Sequence, residues 1–216
     1  MFPLHDESAK HRKKPYLTIV LIAINVLIFI LTFFSADFDT EIIWEYGAIP
    51  NQISEGKSLL TLITSMFLHG GIMHLIGNMW FLWVFGDNIE HRLGKIKYVL
   101  FYFLTGIIAS LTHVYTVSAD LMHIPTIGAS GAISGIIGGY AILFPKNRIR
   151  AFMWFLVFGP IFFYLPAFLY IGIWFFYQII YVGTITPIAY MAHIGGFVSC
   201  IILIKLFKKR KKIFKK

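Results

Sequence analysis

Long apolar runs separated by short polar segments make up most of the sequence. A helix needs about 20 apolar residues to cross a hydrocarbon core of about 30 Å, and six stretches have roughly that length. The second stretch is less apolar than the others because it contains His69, His74 and Asn78. The six stretches are residues 16–34, 66–85, 98–117, 127–144, 161–182 and 187–207. The pattern therefore predicts an all-α polytopic membrane protein, built as a bundle of six transmembrane helices.

The composition agrees with a lipid environment for most of the surface. Hydrophobic residues make up 58% of the 216, charged residues only 13%, and the mean hydropathy is +0.75. Soluble proteins are about 45–50% apolar, so a soluble fold could not bury this much apolar surface. We predict one membrane domain over residues 16–207, between a cytoplasmic N-terminal tail of residues 1–15 and a basic cytoplasmic tail of residues 208–216. The single cysteine, Cys200, cannot form an internal disulfide.

The charged residues predict the orientation and the partners. With both termini in the cytoplasm, 18 of the 19 Lys and Arg residues fall on the cytoplasmic side, and only Lys57 falls outside. Eight cations lie between Lys205 and Lys216, where they suit anionic lipid head groups. No basic patch is interleaved with exposed aromatic residues on a soluble domain, so the net charge of +9 indicates the lipid bilayer and not nucleic acid. The predicted location is the cell membrane, with multiple crossings.

Two further apolar segments are predicted to lie at the membrane surface. Residues 36–65 form a long external loop of patchy hydrophobicity, which is typical of short interfacial helices. Residues 151–160 are apolar but adjoin a full span, and Gly159 with Pro160 offers a break between the two. We therefore expect residues 151–160 to form an interfacial connector.

The polar side chains inside the spans are the candidates for chemistry, because lipid disfavours them unless they are paired or functional. His74 and Asn78 are four residues apart and therefore share one face of the second helix. Both can donate hydrogen bonds to a negatively charged oxygen. From the spacing alone, a pair that forms hydrogen bonds between helices is the favoured interpretation.

Ser130 lies in a Gly-Ala-Ser-Gly sequence at the outward end of the fourth span. Gly131, Gly135 and Gly139 recur every four residues, which is typical of close helix packing, so Ser130 could be a packing residue. Its place near the first helical turn favours a second interpretation. There, free backbone N–H groups and the helix dipole stabilise developing negative charge.

His193 lies in an Ala-His-Ile-Gly-Gly sequence on the sixth span. A lone histidine on an apolar helix is usually a packing residue. However, His74, Ser130 and His193 all fall in the outer half of the bundle, on helices that run from outside to inside. One base could then serve one nucleophile. Because no Asp or Glu falls within the later spans, the predicted chemistry is that of a Ser–His dyad.

At these three clusters the sequence resembles the rhomboid family of intramembrane serine proteases. The family pattern has His, three residues and Asn on the second helix, GxSG opening the fourth helix and AHxxG on the sixth. His74 with Asn78, Ser130 and His193 match this pattern in order and in helix number. LITSMFLHGG before the second span and GDNIEHRLG after it are also similar to family segments. The resemblance implies a rhomboid-like six-helix bundle with Ser130 as nucleophile and His193 as base.

The resemblance also implies a mechanism and a class of partner. A neutral His193 would remove the Ser130 proton during attack on a transmembrane protein substrate, and the oxyanion would be held by the Ser130 N–H with the His74 and Asn78 side chains. Substrates should contain Gly, Pro or other helix-weakening residues, since a regular helix hides its carbonyl groups. Residues 183–189 are expected to cap the site, and the fifth span to act as a lateral gate. No metal or organic cofactor is implied.

The sequence departs from the family pattern at two places. Many members carry a Trp-Arg pair in the first external loop, where this sequence has Leu60 and Thr61, so the anchoring of the loop is expected to differ. Some relatives have an aromatic residue four positions after the nucleophile, which stacks on the catalytic histidine, whereas this sequence has Ser134. The local support of His193 is therefore left open. Glu90 matches a cytoplasmic-loop pattern and is expected to be structural.

Two other functions remain as alternatives at this point. One is a catalytically inactive rhomboid-like protein that binds membrane clients, and the presence of both Ser130 and His193 argues against it. The other is a metal or ion transporter that uses His69, His74, His113 and His193. No HExxH motif and no pairing with carboxylates accompanies these histidines, which disfavours transport.

Overall fold

The protein is mostly helical. The computed structural model describes residues 1–7, 14–155, 159–184, 186 and 188–207. Within these residues the long helices are α1 (Tyr16–Phe33), α2 (Ile72–Leu93), α3 (Lys95–Val114), α4 (Ser130–Leu143), α5 (Ala167–Ile180) and α6 (Tyr190–Phe207). Each of them coincides largely with one of the six apolar stretches, so the hydrophobic pattern located the helices correctly.

Three of these helices, α1, α3 and α6, are long and apolar enough to cross a membrane. Helices α4 and α5 have 14 residues each, which corresponds to a length of about 21 Å. Helix α2 has 22 residues but carries charged groups near its C-terminal end. Length and composition therefore support three crossings within the described part of the chain. The predicted basic tail, residues 208–216, lies outside the described residues.

A three-stranded antiparallel sheet corrects the all-α prediction. Its strands are β1 (Phe2–Asp6), β2 (Arg148–Phe155) and β3 (Gly159–Pro166), and they lie in the order β1-β2-β3. Strands β2 and β3 pair along their whole lengths. The predicted interfacial connector and the start of the predicted fifth span therefore form a hairpin, and α5 begins only after it.

The composition of the hairpin explains why it is not helical. Phe, Trp, Ile and Tyr, which favour strands, make up half of β2 and half of β3. A short apolar run has no periodicity that distinguishes a buried strand from a buried helix, so the sequence alone permitted either structure. Pro160 and Pro166 are tolerated because β3 lies at the edge of the sheet and pairs with β2 alone in the described sheet.

Strand β1 attaches the N-terminal residues to the helices, so the predicted tail over residues 1–15 contains a strand. The Trp80 indole N–H donates a hydrogen bond to the Pro3 carbonyl oxygen. At the other end of the strand, the Tyr140 hydroxyl donates to the buried Asp6 carboxylate. The chain begins with the apolar sequence Met-Phe-Pro-Leu, which is more stable when packed than in water.

Small residues bring α4 into close contact with its neighbours α3 and α6. A Cβ atom added at Gly131 would lie 2.6 Å from the Ala109 Cβ atom, and one added at Gly196 would lie 2.1 Å from the Gly131 carbonyl oxygen. One added at Gly138 would lie 2.7 Å from the Cys200 Sγ atom. These separations leave no room for a side chain. The close packing that the glycine repeat predicts is therefore confirmed.

The segment over residues 36–65 contains short helices, as its patchy hydrophobicity predicts. Of the two positions where many family members carry Trp-Arg, Leu60 is 79% exposed and Thr61 is 6% exposed. The buried threonine hydroxyl donates to the Ser58 carbonyl oxygen at 2.7 Å. The short helices are Ile43–Tyr46, Pro50–Ser54 and Thr61–Thr64.

Glu90 joins the C-terminal part of α2 to the start of α1. Its carboxylate accepts hydrogen bonds from the Leu17 N–H at 3.1 Å, the Thr18 N–H at 2.8 Å and the Thr18 hydroxyl at 2.9 Å. The first N–H groups of a helix have no partner within the helix and carry partial positive charge. The buried Glu90 carboxylate gives these N–H groups a hydrogen-bond acceptor and places a negative charge beside their partial positive charge. This agrees with the structural role expected for Glu90.

Replacing Glu90 by alanine is expected to lower the free energy of unfolding by about 2–4 kcal/mol, because the buried N–H groups of Leu17 and Thr18 lose their acceptor. Equilibrium unfolding in detergent micelles measures this change. Glu55→Ala is the matched control, since that carboxylate contacts Lys57 at 2.7 Å on the exposed surface, where an ion pair contributes about 0–1 kcal/mol. Equal stabilities of the two variants would contradict the capping role.

Candidate active site

Ser130 is the first residue of α4. The turn before it contains Gly128, whose φ of +121° is unfavourable for residues with a side chain. The Gly128 N–H donates to the Ser65 carbonyl oxygen at 2.8 Å, which holds the turn against the end of the segment over residues 36–65. The first N–H groups of α4, including that of Ser130, have no partner within the helix. The serine hydroxyl therefore lies at the positive end of a helix, as predicted.

His193 reaches Ser130 from near the start of α6. Its Nε2 atom lies 2.8 Å from the Ser130 Oγ atom, which is a hydrogen-bonding distance. The contact is possible because the two helices meet backbone to backbone at Gly196 and Gly131. Both polar side chains are half-buried. The structure thus brings together the two groups that the sequence pattern singled out.

The second ring nitrogen of His193 contacts a residue that sequence reasoning missed. Its Nδ1 atom lies 2.8 Å from the Gln178 side-chain oxygen, and Gln178 is only 4% exposed on α5. The sequence did contain a signal, since Gln178 is the one amide side chain in the predicted fifth span, residues 161–182. Such a group is disfavoured in an apolar helix unless it has a partner or a function.

Aromatic rings flank His193 even though a serine stands four residues after Ser130. The Trp174 ring on α5 lies 6.3 Å from the imidazole between centroids, with the planes inclined by 30°. The Tyr190 ring lies edge-on at the same distance. The Ser134 hydroxyl donates instead to the Ser130 carbonyl oxygen at 2.7 Å. The aromatic rings beside His193 are therefore supplied by α5 and α6 and not by α4.

His74 and Asn78 occupy different surroundings although both lie on α2. Asn78 is buried, faces the same cavity as Ser130, and donates from Nδ2 to the His74 carbonyl oxygen at 3.1 Å. His74 is exposed, and its ring lies against Gly128, where an added Cβ atom would come within 2.8 Å of Nε2. The structure therefore brings Asn78 into the cavity and His74 to the turn that precedes Ser130.

A cavity of about 150 Å³ adjoins Ser130 and His193. Asn78 and Ser134 contribute further polar groups to its lining, and the rest of the lining is mainly apolar. A water molecule takes up about 30 Å³ in the liquid, so the cavity has room for several waters. The site therefore combines a hydroxyl, an imidazole and an amide around a space that water can occupy.

The histidines of the transporter hypothesis are divided between different places. The His69 and His74 rings lie 5.0 Å apart, His113 lies in the last turn of α3, and His193 contacts Ser130. Among the described residues, no three His, Cys, Asp or Glu side chains lie together in a way that could hold a metal ion. The geometry thus suits His193 to act as a base for the Ser130 hydroxyl.

Comparison with known proteins shows which family the chain belongs to. The Rhomboid domain family model matches residues 56–210. The chain belongs to the rhomboid family. It is 32% identical over 136 residues to the Rhomboid protease GluP of Bacillus subtilis. It is 34% identical over 98 residues to Rhomboid protein 1, mitochondrial, of Saccharomyces cerevisiae. It is 33% identical over 95 residues to the Inactive RHOMBOID-like protein 8 of Arabidopsis thaliana.

These rhomboid relatives differ from the chain in length and from one another in activity. The three matches cover 62%, 44% and 44% of this chain, and 26%, 28% and 26% of the relatives. The chain therefore spans about a quarter of the length of these curated relatives. One of them is named a protease and another is named inactive. Membership of the family alone therefore does not decide whether a rhomboid protein is an enzyme, and the site geometry must carry that argument.

Gly196→Ala is expected to lower the free energy of unfolding by about 1–3 kcal/mol, because the added methyl group meets the Gly131 carbonyl oxygen and overpacks the helix contact. Thermal unfolding in micelles measures the change. Gly172→Ala on α5 is the matched control, since nothing lies within 4 Å of an added Cβ atom there. It should stabilise the helix by up to about 1 kcal/mol. An unchanged Tm in Gly196→Ala would contradict the close approach of α4 and α6.

Proposed function

We propose that this rhomboid protein is an intramembrane serine endopeptidase that cleaves transmembrane segments of other membrane proteins. Ser130 is the proposed nucleophile and His193 the general base. The observation that carries the proposal is the 2.8 Å distance between Ser130 Oγ and His193 Nε2 beside a partly polar cavity. Covalent catalysis by serine requires a base within this reach. The name of the GluP relative agrees with the proposal.

In the proposed reaction, His193 Nε2 accepts the Ser130 proton while Oγ attacks a substrate carbonyl carbon. The imidazolium then gives this proton to the leaving amine nitrogen, and the remaining fragment stays as an ester on Ser130. A water molecule next attacks the ester carbon as it gives a proton to the same nitrogen. The bond between that carbon and Oγ then breaks, the imidazolium returns the proton to Oγ, and the second fragment leaves as a carboxylic acid. The cavity beside the pair has room for that water.

Each tetrahedral intermediate carries a negative oxygen that needs hydrogen-bond donors. The proposed donors are the Ser130 backbone N–H with the His74 and Asn78 side chains. The Ser130 N–H lies at the positive end of α4. Asn78 keeps a second amide hydrogen after donating to the His74 carbonyl oxygen. One donor of this kind typically stabilises the transition state by about 3–4 kcal/mol.

We further propose that all six long helices cross the cell membrane, with both termini in the cytoplasm. Helices shorter than the hydrocarbon core are tolerated where irregular backbone is buried in protein or lines a water-filled space. Helices α2, α4, α5 and α6 all contribute residues to the cavity, so the short helices α4 and α5 meet that condition. This orientation also keeps most of the cations on the inner side.

Transmembrane segments with Gly or Pro near the outer boundary would be the preferred substrates. Their carbonyl groups are released from helical hydrogen bonds more easily than those of a regular helix. We propose that α5 serves as the lateral gate and that residues 183–189 cap the site. In this cap Gly183 has a φ of +82°, and residues 185 and 187 lie outside the described part of the chain. The proposed reaction uses no metal and no organic cofactor.

Client binding without catalysis is the second candidate function, because one relative is named inactive. It would need the same membrane bundle but not the contact between Ser130 and His193. The hydrogen-bonding distance between these two groups favours the protease over a protein that only binds.

Ser130→Ala and His193→Ala are each expected to lower kcat by at least about 10⁴-fold, because they remove the nucleophile and its base. The measurement is cleavage of a purified transmembrane substrate by the full chain in proteoliposomes. Ser199→Ala is the matched control and should keep wild-type kcat, since its hydroxyl is bonded within α6 to the Gly196 carbonyl oxygen. A wild-type protein that binds the substrate but leaves it intact would support client binding instead.

Asn78→Ala is expected to lower kcat by about 10²–10³-fold with little change in KM, because the lost donor acts on the transition state. His74→Ala should cause a smaller fall, since that side chain is exposed beside the turn and Asn78 faces the cavity. Steady-state kinetics with the same substrate gives both values. A normal kcat in Asn78→Ala would exclude Asn78 from the oxyanion site.

A further inference from the structure

The nitrogen and the oxygen of the Gln178 side-chain amide each form a hydrogen bond. Its Nε2 atom donates to the Trp174 carbonyl oxygen at 3.1 Å, one turn earlier in α5. Its Oε1 atom lies 2.8 Å from His193 Nδ1. The side chain is 4% exposed, so water does not compete strongly for either contact. The amide therefore links the backbone of α5 to the imidazole on α6.

The chemistry of these contacts fixes which atom carries each proton. A carbonyl oxygen can only accept, so the NH₂ group of Gln178 must face Trp174 and the amide oxygen must face His193. That oxygen can only accept as well, so His193 Nδ1 must carry the hydrogen. In a neutral imidazole the other nitrogen then has a free lone pair. His193 Nε2 therefore faces the Ser130 hydroxyl as an acceptor.

We propose that Gln178 is a positioning residue that holds His193 in the tautomer with its proton on Nδ1. The proposal rests on the proposed function, because only this tautomer can take the proton from Ser130. With the proton on Nε2, the imidazole would point a hydrogen at Oγ and a lone pair at the amide oxygen. Gln178 thus takes the place that a buried carboxylate occupies in a triad, with the dipole of an amide in place of a charge.

A purely structural role is the competing explanation. Amide side chains join helices in membranes by hydrogen bonds worth about 0.6–2 kcal/mol, and Gln178 joins α5 to α6 in the same way. The two roles differ in what happens to the imidazole. A structural link changes stability alone, whereas a positioning residue also determines where the His193 proton resides.

The test uses the full chain in micelles with ¹⁵N-labelled histidine, and the His193 ring signals are assigned by their loss in His193→Ala. Wild type should show one tautomer with the proton on Nδ1. Gln178→Leu, which keeps the bulk but lacks an acceptor, should show a mixture or the opposite tautomer, and its kcat should fall by about 10–10²-fold with KM nearly unchanged. Gln178→Glu keeps an acceptor oxygen in either protonation state and should restore the wild-type tautomer.

Asn25→Leu is the matched control. Asn25 is also a buried amide that donates to the carbonyl oxygen one turn earlier in an apolar helix, at 2.8 Å from Leu21. This variant should change neither the His193 tautomer nor kcat, whatever it does to Tm.

The outcomes separate the two proposals. An unchanged tautomer in Gln178→Leu overturns the positioning role, even if kcat falls, because only a structural effect would then remain. If wild type cleaves no substrate but Gln178→Leu shifts the tautomer, the proposed function fails and the positioning contact stands. A tautomer shift together with a lower kcat in Gln178→Leu, and recovery of the tautomer in Gln178→Glu, supports the inference.

Discussion

The close contact between α4 and α6 is the constraint on which the candidate site depends. A side chain as short as serine can reach a histidine on another helix only where the two backbones nearly touch. At Gly196 they do, since an added Cβ atom would lie 2.1 Å from the Gly131 carbonyl oxygen. Lipid tails are as apolar as side chains, so helices in a membrane associate through such packing and through hydrogen bonds. The glycines that hold the bundle together therefore also set the distance between the proposed nucleophile and its base.

Much of the candidate site could be predicted from the sequence because polar side chains are costly in apolar helices. Ser130 and His193 were singled out as polar residues in apolar spans, and their assignment as nucleophile and base came from their common depth and from the resemblance to the rhomboid motifs. The bounds of α1 were predicted closely for a related reason, since residues 16–34 contain no charged residue and the helix covers Tyr16–Phe33. Where the cost of placing polar or charged groups in lipid dominates, the local sequence is enough to locate a helix or an unusual polar side chain.

The sheet and the Gln178 contact could not be predicted, because both depend on long-range packing. The aromatic residues of β2 and β3 suit a helix in lipid as well as a strand, and no periodicity decides between them. Strand β1 pairs with β2 across most of the chain, as in the partnership of Phe2 with Phe152. Gln178 could be recognised as an unusual amide, but its partner depends on how α5 packs against α6. In both cases the missing information is which distant segments meet.

Helix α5 is held to α6 by a different kind of contact from the one that joins α4 to α6. Phe175 stacks on Phe197 at 4.2 Å between ring centroids, while the neighbouring Phe176 is 62% exposed. Contacts between side chains give way more easily than interlocked backbones, because rotamers can change without moving a helix. If α5 shifts, Ser130 and His193 stay together, but the amide that orients His193 moves away. A substrate that displaces α5 would then slow the loss of the Ser130 proton until the helix returns. Under the proposed function, the position of α5 and the chemistry at Ser130 are therefore linked through Gln178.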